Sequence, residues 1–415
     1  MHSSTFSTHL ILLGRKRLRR ITRMCAATTV LRAKSIPSSR SCGSTLQTTT
    51  IRWHSIMIAS AAMRENWKIS RGIRRIARWL VVCTVAAAAG YGWYVLGWGV
   101  RPLPIGPVVL PLGNHIAVYR WKRAAPLPKA RVAAGVGVVG DAIYLIGGID
   151  AWGRTLSDVA IYYPKTDRWE RGPSLPYPVH HPAVASDGIS LYVVGGFQGW
   201  RFTPLRRVLR LAREGTSWEE LPPLPRARGG AAAVLAHSTL YLVGGATQEG
   251  PVGELLAYSV PENRWRVVRA DLFPRAYLAA AAIGGKIYIA GGIGKQDIYE
   301  GAALEIYDIE SGTLSRGMSL PTPRKSAAGV AWDGLFIVAG GESGWHAVPQ
   351  VEAYLPAKNS WIALPRLPTG RQGMAVVAIG NLLYTFGGGL HAGFSVSSRS
   401  EVLQERAAYY TIHPR

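Results

Sequence analysis

Arginines stand at Arg131, Arg228, Arg275, Arg324 and Arg371, each sixteen residues before a Gly-Gly pair. A guanidinium presents a carboxylate with a planar fork of donors, so arginines gathered at one opening suit an acidic ligand. Like charges close to one axis repel by about 1 kcal/mol or more per close pair at intermediate dielectric, and an anion would relieve that. The plain alternative is that each arginine bonds loop carbonyls of its own unit. The segments after the glycines carry Trp152, Trp200 and Trp345 among Asp150, Arg154, Gln198, Arg201 and Lys295. Aromatic faces beside charged groups make a sugar or peptide site, although such tryptophans can also simply pin long loops. Glu249, Glu342, His346 and His391 are the groups there that can move a proton, and no motif singles one out.

Other chemistry finds less support. His180 and His181 sit beside Val179, where an arginine is missing, but no third ligand follows at a recognisable spacing. No metal or other cofactor is expected. Cys25, Cys42 and Cys83 all precede the arginines, which excludes a disulfide framework downstream.

The residues that would position these groups recur. "LIGG", "VVGG", "LVGG", "IAGG", "VAGG" and "TFGG" end at Gly148, Gly196, Gly245, Gly292, Gly341 and Gly388, in steps of 48, 49, 47, 49 and 47 residues. A fixed period of that size marks a solenoid or a propeller. After each pair come a loop, a strand and an aromatic couple seven apart: Tyr162 and Trp169, Tyr258 and Trp265, Tyr354 and Trp361. Two units keep the spacing with one ring lost, Leu211 to Trp218 and Tyr307 to Leu314. Four short alternating strands per unit make a twisted antiparallel sheet, and six such sheets pack radially. The second strand nears the axis, where a residue without Cβ allows close backbone approach.

Arginine, glycine doublet and Tyr/Trp couple, in that order across 118–404, resemble the kelch family of β-propellers. The resemblance implies an all-β, six-bladed kelch β-propeller of four-stranded antiparallel blades over 114–415. It also implies that arginines at this position can contact acidic ligands. Trp121, in "AVYRWKRAAPLP", begins a fourth strand with no blade before it and is expected to complete the sixth blade; "AAYYTIH" at 407–413 is the competing candidate.

The formal net charge of +24 is concentrated before this region. Residues 1–78 hold sixteen Lys/Arg and one acid, Glu65; the rest has 32 basic and 23 acidic residues, a surplus of +9. Nucleic-acid binding is therefore not the reading. The leader 1–78 is either an Arg-rich transit peptide or a translated upstream region with initiation near Met63, and the second fits better because "MRENWKISRGIRRIARW" runs straight into an apolar stretch. Trp79 to Val100 lacks charge over 22 residues, long enough for a transmembrane signal-anchor helix. Lys68, Arg71, Arg74, Arg75 and Arg78 precede it, which places the N-terminus in the cytoplasm and the propeller outside. Pro-rich 101–113 reads as a linker.

Two functions follow. One is a non-catalytic, membrane-tethered propeller that binds an unknown protein, or an acidic or carbohydrate ligand, through the Arg-rich mouth and the loop tryptophans. The other comes from the resemblance, since some exported bacterial kelch proteins are N-acetylneuraminate mutarotases: a sugar mutarotase or epimerase acting on sialic acid or a related sugar. A copper oxidase on the same fold requires a Cys-Tyr crosslink that the cysteine positions do not allow.

Overall fold

The computed structural model describes residues 71–97, 100, 108–112, 115–213, 215–295 and 302–407. The expected leader 1–78 lies outside the described residues except for 71–78, as do Trp98, Gly99, residues 101–107 and the tail 408–415.

Strands of three to nine residues, too short to be stable alone, pair into six antiparallel sheets. In the first blade Gly135–Val139, Ala142–Ile146, Val159–Tyr163 and Arg168–Arg171 lie side by side in chain order. The innermost strand of each blade abuts that of the next. Gly135–Val139 meets Ala183–Ser186, and the circle runs through Ala232–Ala236, Ala276–Ile283, Ala328–Trp332 and Ala375–Ile379 back to the start. Six blades close a ring. The inner strands are rich in Ala and Gly because side chains from six directions converge there; a Cβ on Gly329 would lie 2.7 Å from the Ala280 nitrogen.

Apolar residues facing both ways from each sheet fill six seams. Ile143, Leu145 and Tyr162 of blade one meet Tyr384 and Phe386 of blade six, for example. The aromatic couple works as a clamp. Trp169, Trp218, Trp265 and Trp361 donate their indole N–H to Ala125, Pro173, Pro222 and Met318 of the preceding blade, at 2.9, 2.8, 2.9 and 2.7 Å. Tyr162, Tyr258 and Tyr354 donate to the turn residues Asp167, Asn263 and Asn359, which hold the left-handed conformation.

The glycine doublet explains itself at the seam. Gly147 has φ +61°, and a Cβ there would stand 2.3 Å from the Val179 carbonyl oxygen of blade two. Gly148 donates its N–H to that same oxygen at 2.9 Å. The bond repeats from Gly196, Gly245, Gly292, Gly341 and Gly388 to Arg228, Arg275, Arg324, Arg371 and Arg131. The doublets therefore stitch each blade to the next.

His115–Arg123 pairs antiparallel with Ser400–Ala407, from Ala117↔Ala407 to Arg123↔Glu401, and completes blade six. Trp121 donates to Pro365 of blade five at 2.9 Å, as its counterparts do. The place that 407–413 would take is thus filled by the N-terminal strand. The expected linker is partly structured: Val108–Leu112 adds a fifth strand outside His115–Arg123. Pro111 is acceptable there because the strand is an edge.

The expected transmembrane helix is corrected. A helix, α1, covers Arg71–Tyr94, and no helix among the described residues is long and apolar enough to cross a membrane. The uncharged run is divided: helix ends at Tyr94, and charge occupies the first turns at Arg71, Arg74, Arg75 and Arg78. Residues 79–94 alone rise about 24 Å, short of a hydrocarbon core of roughly 30 Å.

Candidate functional site

Each motif arginine begins the inner-strand approach at the same face of the ring where the glycine loops emerge, as expected. Its side chain goes elsewhere. Arg131, Arg228, Arg275, Arg324 and Arg371 are at most 2% exposed. Arg131, Arg228, Arg275 and Arg371 donate to Gly147, Gly244, Gly291 and Gly387 carbonyls at 3.0–3.3 Å, and Arg324 to Val338 at 2.9 Å. Each also meets an acid on, or one residue before, its own blade's third strand. Arg324 pairs with Glu352 at 2.5 Å and Arg131 with Asp158 at 3.8 Å. Arg228, Arg275 and Arg371 pair with Glu254, Glu305 and Glu401. Burial lowers these guanidinium pKa values, and the acids oppose the shift. The like-charge repulsion that an anion would have relieved is neutralised inside each blade. Blade two confirms the logic: Val179 replaces the arginine, is fully buried, and Arg207 stands where the acid would be, paired with Glu220 at 2.9 Å.

Two residues after each arginine position, the backbone turns left-handed at Ala133, His181, Gly230, Tyr277, Ser326 and Gly373. Each of these N–H groups donates to the equivalent carbonyl of the preceding blade: His181 to Ala133, Gly230 to His181, Tyr277 to Gly230, Ser326 to Tyr277, Gly373 to Ser326 and Ala133 to Gly373, at 2.7–3.1 Å. The six bonds form a closed circle around the axis at the loop face. Beneath it runs a channel of about 410 Å³ lined by Ala, Gly and Val of the inner strands. Those walls offer no group for proton transfer.

The sequence did not announce this circle, since four of its members have side chains. His181 and Tyr277 roof it, their rings 5.0 Å apart, with Phe197 and Phe202 behind. His180 Nε2–H donates to the Gly199 carbonyl at 3.1 Å, which leaves its Nδ1 to accept from His181 Nδ1–H at 2.8 Å. Burial pushes His180 down to about 4. No group of three or more metal-binding side chains occurs among the described residues.

The loop tryptophans are exposed: Trp345 by 89%, Trp152 by 74% and Trp200 by 60%. Trp200 lies against Gly153 and meets Phe394 at 5.2 Å, so it links the loops of blades two, one and six. Trp345 has no ring partner among the described residues. Arg154 pairs with Asp150 at 2.7 Å, while Arg201 and Lys295 face solvent.

The acid–base candidates are not brought together. Glu249, on the blade-three loop, pairs with Arg226 at 2.5 Å. Glu342 is buried, pairs with Lys325 at 3.1 Å and accepts the Gly393 N–H at 3.0 Å. His346 is exposed on the blade-five loop, and His391 is stacked under Tyr94 of α1 at 5.0 Å. No hydrogen bond joins any two of the four. Two of them spend their charge holding loops in place.

A family model described as the KLHDC2/KLHL20/DRC7 Kelch-repeats domain matches residues 208–389, and one for the Kelch motif matches 130–176. Both matched stretches are similar to kelch repeats. Kelch-like protein terF of Aspergillus terreus is 25% identical over 305 residues, 68% of this chain and 55% of that protein. Alpha-scruin of Limulus polyphemus is 27% identical over 284 residues, 66% of this chain and 26% of its own length. Kelch-like protein 25 of Xenopus tropicalis is 28% identical over 152 residues, 36% of this chain and 25% of the relative. The chain thus spans about half of the first relative and a quarter of the other two. Kelch-repeat propellers are typical of protein-binding domains.

Proposed function

We propose that this kelch propeller is a non-catalytic binding module that engages a protein partner through its glycine-loop face. The observation that carries this reading is Trp345, 89% exposed at the tip of the blade-five loop with no ring partner among the described residues. A large indole left in water supports a contact residue of the kind that dominates protein interfaces. The surplus of 32 basic over 23 acidic residues beyond position 78 favours an acidic partner surface. The cations that would read it are exposed ones, such as Arg201 and Lys295, in place of the buried motif arginines.

The test is capture of partners from native extract on the immobilised full chain, with identification by mass spectrometry. Trp345→Ala is expected to lose the specific partner while circular dichroism and thermal unfolding stay unchanged. Equal capture by the variant would remove the proposed contact. Faster anomer exchange of sialic acid or galactose, measured by NMR with the same preparation, would favour the mutarotase instead.

A further inference from the structure

The loops of blades one and six hold a piece of this chain that belongs to no blade. Tyr91 and Tyr94, one helical turn apart at the end of α1, share a face. Tyr91 stacks on Trp152 at 5.8 Å and 20°, and Tyr94 on His391 at 5.0 Å and 9°. Tyr94 Oη donates to the Ala392 carbonyl at 2.8 Å, and the Val396 N–H donates to Val95 at 2.8 Å. Val95 is buried against Val132, Ala133, Ile149 and Val396. Gly97 passes so near Leu390 that a Cβ would come within 2.0 Å of it. Stacked rings, one backbone bond and a buried aliphatic residue are the contacts of a peptide in a recognition site.

Three features separate this contact from the body of the fold. The ring of six blades is complete without residues 91–97. The helix ahead of them is not held down, with Trp79, Leu80, Val81, Val82 and Val85 all more than half exposed. Tyr91 Oη and His391 Nε2 are buried with no hydrogen-bond partner among the described residues, so the fit is polar-incomplete on both sides.

We propose that the loop face of blades one and six is a peptide-recognition site, and that residues 91–97 occupy it in cis until a partner displaces them. The partner class is an apolar peptide with aromatic residues at i and i+3 and an aliphatic residue after the second. A hydrogen-bonding group placed opposite His391 Nε2 gives such a peptide an advantage over the chain's own segment. A tethered occupant acts at an effective concentration of roughly millimolar, so the site is masked without being lost. This inference rests on the loop-face reading above and adds a second patch, only partly covered since Trp152 remains 74% exposed, to the exposed Trp345.

The probe is a fluorescent synthetic peptide of residues 89–97, AGYGWYVLG, measured by anisotropy against the full chain and its Tyr91→Ser/Tyr94→Ser variant. The variant is expected to bind at least tenfold more tightly than the unmodified chain, and Trp152→Ala/His391→Ala in that background to abolish binding. Affinity within tenfold for the two chains, or binding that survives the Trp152 and His391 changes, overturns the proposal. Should the tyrosine variant fail to fold, amide exchange in the unmodified chain decides. The Val396 amide exchanging at least tenfold faster than strand amides around Leu383 supports a releasable segment, and a smaller difference refutes it. Partner capture that depends on Trp345 would survive a negative result here, so the two readings fail separately.

Discussion

A guanidinium removed from water must keep its acid, and that requirement decides what the motif arginines do. Arg324 is fully buried and Glu352 is 7% exposed, so Arg324→Ala strands a buried carboxylate within blade five. The expected loss is about 3–5 kcal/mol in urea unfolding, whereas breaking the solvent-exposed Arg264–Glu262 pair should cost less than about 1 kcal/mol. The arginines were legible in the sequence by type and spacing; their burial was not. A signal was nevertheless present. An acid follows each of the five by 26 to 30 residues, and both are missing from blade two, where Val179 and Arg207 replace them. The histidines beside that gap make a second prediction. Burial holds His180 at about 4, below the roughly 6.5 of an unfolded chain, so the folded state carries it neutral. Its contribution is therefore full above pH 6.5 and is lost as pH falls toward 4. Unfolding free energies from urea melts should fall across pH 6.5 to 4.5, with His180 contributing about 2 kcal/mol of the change. Burial also lowers His181, so His180→Phe should reduce that slope without removing it.

Between neighbouring blades the decisive element is the turn after the second strand. Gly195 has φ +57°, and a Cβ would stand 2.4 Å from the Arg228 carbonyl oxygen that Gly196 bonds. Gly195→Ala therefore adds left-handed strain and displaces the inter-blade bond, for about 2–3 kcal/mol in total. Gly199, at φ +65° with open space where its Cβ would go, bears only the strain, about 1 kcal/mol as Ala. Equal losses in denaturant unfolding would show that the seam does not depend on the close approach. Glycine doublets and tryptophans were visible in the sequence because their types are dictated locally, by positive φ and by ring size. The circle of bonds two residues after each arginine was not visible. Its geometry is imposed by six backbones meeting at one axis, and Ala133, His181, Tyr277 and Ser326 accept left-handed backbone although their types do not favour it. Helix α1 was misread for a related reason: an uncharged run fixes hydropathy but not where the helix ends, and the chain leaves helix once Tyr94 and Val95 find partners on the propeller.

For the molecule as a whole, stability is set by closure, because a ring with five complete blades leaves two open edges. His115–Arg123 supplies the fourth strand of blade six and carries Tyr119 and Trp121 into the seam with blade five, against Trp332 and Leu367. A chain without 108–123 loses the Trp121–Pro365 bond, exposes the Ser400–Ala407 edge and uncovers that cluster at once. It should lose its single cooperative unfolding transition and aggregate, as an unpaired apolar edge promotes. A chain ending at Ala407 keeps every pairing described for blade six and should unfold with an unchanged midpoint. Adding a synthetic peptide of residues 108–127 to the shortened chain separates closure from a general effect of truncation. Restored cooperativity, with the indole fluorescence of the folded protein, is the expected outcome, since the strand binds an edge already shaped to receive it. If the peptide has no effect, or if loss of 408–415 is as damaging as loss of 108–123, the N-terminal strand is not what holds the ring shut.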